Sequence, residues 1–219
     1  MFLFSVFLFF FGGMPGYTQN LTDPISVYNT GRSLESQNRM NEAEFYYNLA
    51  IRLCNEEISR NAATANTYTA LTWTLQRQKK YADVITWGER GLRLYADEYR
   101  IVEIMGEAYF YLDDYDRSLR FMQRYTNSLP RGERASIAYF FIGEIYRLRN
   151  QYYHADVAYS AAVQLEKNVA LWWYRLALVR EAAGDIREAI VAYQQAIALN
   201  SDYREAREGL ARSLRQEGR

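Results

Sequence analysis

From residue 24 onward, apolar residues recur at the spacing of amphipathic helices, in paired runs separated by short polar segments. In the last pair, Trp173, Leu176 and Ala177 share one helical face. Ile186, Ala189, Ile190, Tyr193, Ala196 and Ile197 share another, and Gly184-Asp185 lies between the two. The pattern returns at a shift of 34 residues, so that blocks 24–57, 65–98, 99–132, 136–169 and 170–203 superpose without internal gaps. Extra residues fall only between blocks, at 58–64 and 133–135. Each block predicts a helix–turn–helix hairpin, with turns such as Asp113-Asp114.

The repeat columns have a packing logic. The eighth position holds Gly31, Thr72, Gly106, Gly143 and Ala177, and the twentieth holds Ala43, Val84, Ser118, Ala155 and Ala189. The seventeenth holds Met40, Tyr81, Tyr115, Tyr152 and Ile186. Small residues on two helices let the backbones approach, and a larger side chain fills the space at the turn. In period and columns the chain resembles the tetratricopeptide repeat (TPR) family over residues 24–203, most closely in block 170–203. The resemblance implies an all-α, right-handed superhelix of five hairpins with a C-terminal capping helix.

Four features fill in that frame. Tyr125 stands where the family has a small residue, so block 99–132 is expected to leave it unburied and to be locally displaced beside the 133–135 insertion. Gly88 and Gly91 are expected to weaken their helix by up to ~1 kcal/mol each relative to Ala. Residues 204–217, with Ala206, Leu210, Ala211 and Leu214 as the apolar positions, predict the polar-backed terminal helix that a solenoid needs. At the other end, Asp23-Pro24 supplies an N-cap oxygen and a preset φ.

Composition narrows the function. Lys+Arg and Asp+Glu both number 26, so the surplus of cations that nucleic-acid binding needs is missing. One Cys and one His leave neither a disulfide framework nor a multi-ligand metal site. Cys54 reads as a small buried hydrophobe and His154 as a solvated side chain, and no nucleophile, phosphate-loop or zinc motif is present. No cofactor and no enzymatic activity are expected.

Residues 2–11 (FLFSVFLFFF) are uncharged and precede Gly12, Gly13, Pro15 and Gly16. That run is shorter than a membrane span and has the length of a signal-peptide core, so residues 1–16 are expected to be cleaved, with 17–23 as linker. The expected location is periplasmic or secreted, with membrane anchoring by an uncleaved segment as the alternative. No cysteine in 12–20 could carry a lipid anchor.

In the TPR family the first helices of successive repeats line a concave groove. Transferred to this chain, the resemblance assigns to it Tyr28, Arg32, Glu35, Trp73, Arg77, Arg100, Glu103, Glu107, Phe110, Tyr111, Phe140, Glu144, Arg147, Tyr174, Leu178 and Glu181. The aromatic members would anchor a peptide or protein segment, and the mixed charges would set its register. The alternative is that these aromatics pack between neighbouring repeats. The Lys and Asn of the family's best-known carboxylate clamp are replaced by Tyr28 and Arg32, which argues against chaperone-tail binding of that kind. The resulting expectation is a non-catalytic scaffold for protein or peptide partners. A subunit of an envelope assembly or secretion complex, or a self-associating oligomer, is the alternative.

Overall fold

A computed structural model describes residues 22–218. The export segment expected at residues 1–16 and most of the 17–23 linker lie outside the described residues. Among the described residues the chain is helical, without strands: α1 (Pro24–Ser36), α2 (Met40–Ser59), α3 (Ala65–Arg77), α4 (Tyr81–Leu94), α5 (Tyr99–Tyr111), α6 (Tyr115–Ser128), α7 (Ala135–Leu148), α8 (Tyr152–Leu165), α9 (Ala170–Ala183), α10 (Ile186–Leu199) and α11 (Arg204–Glu217).

Local chemistry sets the boundaries. Asp23 Oδ2 accepts from the Ser26 N–H at 2.9 Å ahead of Pro24, and Thr64 and Thr67 form a reciprocal capping box at the start of α3. Position 15 of every repeat turns the hairpin in the left-handed region. Asn38, Lys79, Asp113 and Asn150 hold φ of 57–59°, and Gly184 holds 89°. Asn, Asp and Gly suit that conformation; Lys79 adopts it without such a preference.

Each helix packs on its neighbours in the chain. The first helices also touch in succession, α1 on α3, α3 on α5 and α5 on α7, which places them on the inner side of a curved stack. In the first and fourth hairpins the ring at position 24 covers the small residue at position 8, and in the third Met122 does so. A Cβ added to Gly31 or Gly143 would stand 2.6 Å from Tyr47 or Tyr159.

Repeat 2 exchanges the sizes. Thr72 occupies the small site, Gly88 faces it, and Met105 of the next repeat fills the space 2.6 Å from where a Gly88 Cβ would lie. Gly91 is crowded in the same way by Tyr68 and Ile101 at 2.9 Å. The expected weakness of these two glycines relative to Ala is therefore corrected: an alanine at either position would collide with its neighbours.

Tyr125 also departs from expectation. It is buried, because its ring reaches past the helix contact to Gly132, and its hydroxyl accepts the Arg134 N–H at 3.2 Å. Cys54 is fully buried and donates to the Thr67 carbonyl at 3.3 Å. Burial pushes its thiol pKa up, so the group is inert.

Candidate functional site: the concave groove

The inner side of the first four hairpins encloses a groove of about 650 Å³. α1 contributes Tyr28, Arg32 and Glu35; α3 contributes Trp73, Gln76 and Arg77; α5 contributes Arg100, Ile104, Glu107 and Tyr111; α7 contributes Ile137 and Phe141. The far end is closed by Tyr125, Glu133 and Arg134. Two aromatic ridges stand in it. Trp73 packs on Tyr28 at 5.4 Å, and Tyr111, half exposed, stacks on Tyr81 at 4.8 Å and 13°. Guanidinium groups lie over the first ridge, Arg32 at 5.9 Å from Tyr28 and Arg100 at 5.9 Å from Trp73.

Most of the charge on this face is consumed between repeats. Arg134, reaching in from the α6–α7 loop, donates through Nε to Glu103 at 2.6 Å and through Nη2 to Glu107, whose other oxygen accepts from Gln76 at 3.0 Å. Glu103 is fully buried, and burial beside the Glu107 carboxylate holds its carboxyl well above the usual range. Three Tyr–Glu–Arg braces repeat the idea. Tyr47, Tyr159 and Tyr193 each donate at 2.5 Å, to Glu35, Glu144 and Glu181. Arg77 (3.7 Å), Arg175 (3.0 Å) and Arg212 (3.0 Å) of the following repeat or helix approach the same three carboxylates. Burial and the adjacent carboxylate push all three phenols up.

Glu103, Glu107 and Glu144 are therefore buried braces rather than register-setting groove charges, and Arg147 is spent on Glu144 at 2.7 Å. The expectation of a solvated, mixed-charge row is corrected accordingly. Phe110 packs on Phe141 at 4.9 Å, and Phe140 stacks on Trp172 at 5.3 Å and 19°, so both join the inter-repeat packing. Tyr174 lies outside this groove, against Tyr203 at 4.9 Å. The groove brings together Tyr28, Arg32, Trp73, Arg77, Glu107 and Tyr111. Arg32 and Lys79 form no ion pair among the described residues. Sequence reasoning missed Arg134, Tyr81, Lys79 and Phe141. The signal for Arg134 was its place in the 133–135 insertion, the only extra residues between the third and fourth blocks.

A curved stack of helical hairpins with a groove on its inner face is the architecture of a repeat scaffold. The tetratricopeptide repeat profile matches residues 170–203 and 26–57, and these matches together with the fold support assignment to the tetratricopeptide-repeat family. Proteins of this family are in general non-catalytic interaction scaffolds.

Solved structures share the fold at low identity. YrrB, a TPR protein with an unusual peptide-binding site, is 18% identical over 86% of this chain and 92% of its own, with a TM-score of 0.58. MamA from Desulfovibrio magneticus RS-1 is 14% identical over 83% and 97%, with a TM-score of 0.64. The first TPR of Spaghetti bound to an HSP90 peptide is 17% identical over 55% and 94%, with a TM-score of 0.50. No curated protein matches the chain in sequence.

Proposed function

We propose that this chain is a non-catalytic scaffold that holds an extended segment of a partner protein in the groove between α1 and α7. The observation that carries the reading is the coincidence of the aromatic pairs Tyr28–Trp73 and Tyr81–Tyr111 with Arg32 and Lys79, which form no ion pair among the described residues, in one groove of about 650 Å³. The fold it shares with a protein that has a peptide-binding site and with one bound to an HSP90 peptide supports it. Trp73 and Tyr111 supply the apolar contact area; Arg32 and Lys79 orient the bound segment. Export through residues 1–16 belongs to the same proposal and rests on the uncharged run at 2–11. Mass spectrometry of the mature N-terminus from the native host tests that part.

Binding is tested by panning a displayed peptide library against the full chain and measuring selected binders by titration calorimetry. Trp73→Ala and Tyr111→Ala are expected to weaken them tenfold or more, about 1.4 kcal/mol, in variants that far-UV circular dichroism shows to be folded. Binders indifferent to both substitutions would place the partner surface elsewhere.

A further inference from the structure

The outer surface carries an uncharged stripe that the concave groove does not use. Repeat positions 18, 22, 26 and 30 form one line along each second helix. In α4, α6 and α10 that line is interrupted by Arg90, by Asp116 with Arg120 and Arg124, and by Arg187, and in α2 it opens on Asn41. In α8 it reads Tyr153, Val157, Ala161 and Leu165, without a polar member besides the tyrosine hydroxyl. Tyr153 and Val157 are 67% and 70% exposed. α8 also buries Ala155, Tyr159, Ala162 and Val163 on its other side. A helix apolar around most of its circumference belongs in an interior. The Tyr153–Val157 ridge walls one side of a furrow of about 570 Å³ between α6, α7 and α8, lined also by Tyr146, Ile142 and His154 and, among the described residues, by no Asp, Glu, Lys or Arg.

We infer that this face is the interface of a twofold dimer in which the Tyr153–Val157 ridge of each copy seats in the α6–α8 furrow of the other. A ridge lying next to a furrow on one surface is self-complementary under a twofold axis, because each copy offers both halves of the joint. The electrostatics agree. The apolar ridge meets a lining without carboxylate, ammonium or guanidinium groups among the described residues, and a formal net charge of zero removes long-range repulsion between copies. The inference is independent of the concave groove.

The test is the mass of the full chain by light scattering across a concentration series. The expected result is about twice the protomer mass for the parent protein and a tenfold or larger rise in dimer dissociation constant for Val157→Glu. Tyr153→Glu repeats the test at the neighbouring position. Thr86→Glu, the same repeat position on α4, and Trp73→Ala, in the groove, are expected to leave the dimer intact. Far-UV circular dichroism confirms that each variant is folded. A parent protein at protomer mass at every concentration overturns the inference and leaves the stripe to a foreign helix; a dimer indifferent to both Val157→Glu and Tyr153→Glu overturns it too.

Discussion

Arg134→Ala isolates the largest electrostatic element of the inner face. The wild-type guanidinium bridges α5 from the α6–α7 loop, one branch on Glu103 and one on Glu107, with its side chain 30% exposed and those of the two glutamates 0% and 10% exposed. Removing one partner of a buried ion pair costs about 3–5 kcal/mol. Two effects reduce that figure here. Water reaches part of the site from the Arg134 side, and Glu103, whose carboxyl lies above the usual range, can take up a proton once its partner is gone. The expected loss is about 2–3 kcal/mol, or roughly 5–10 °C in melting temperature for a chain of this size. Thermal melts followed by far-UV circular dichroism read it directly. Repeated in a Glu103→Gln background, the loss should shrink by about 1 kcal/mol or more, since one of the two charges that Arg134 answers is gone. A melting temperature within a degree of the parent, or strict additivity of the two substitutions, would refute the brace as drawn.

Glu103→Gln alone carries a pH signature. A carboxyl whose folded pKa lies above its unfolded value keeps its proton longer in the fold, so its contribution is present at acid pH and is lost as pH rises through the window between the two values. The melting temperature of the variant relative to the parent should therefore climb from acid toward neutral pH; a flat or falling difference contradicts the assignment. Gly143→Ala should destabilise by about 1–3 kcal/mol, because the new methyl would stand 2.6 Å from the buried Tyr159 ring. Chemical denaturation measures it, and a neutral or stabilised variant would show that the α7–α8 contact can relax.

The period, the hairpins and the small-residue columns were legible in the sequence because they are local and repeat five times. The size exchange in repeat 2 was not, since the residue that fills the space at Gly88 is Met105, on the next hairpin. The same limit misplaced part of the site. Helical phase puts Glu103, Glu107 and Glu144 on the inner face, and that is where they are. Phase says nothing about what covers them, and the covering arginines come from the next repeat or from the inserted loop, 31 residues away in the case of Glu103 and Arg134. Phe140 was ambiguous for the same reason: its stacking partner Trp172 lies in the following block. Repeat columns reveal what each unit presents to its neighbours, whereas the identity of the neighbour at each joint depends on departures from the repeat.

Those joints bear on selectivity. In a solenoid each unit is stabilised by its two neighbours, so a charge placed on a first helix is as available to the next repeat as to a ligand. Here the next repeat takes most of them, and the four Glu–Arg systems run along the inner face from Glu35 to Arg212. A ligand that displaced such a pair would leave a buried carboxylate unanswered, a loss larger than a surface ion pair returns. Under the proposed function, discrimination between partners would fall to the side chains that the braces leave over: Trp73 and Tyr111 for shape, Arg32 and Lys79 for charge. They sit on the first three hairpins. The braced carboxylates tie successive repeats together, whereas none of these four side chains joins two repeats by an ion pair among the described residues.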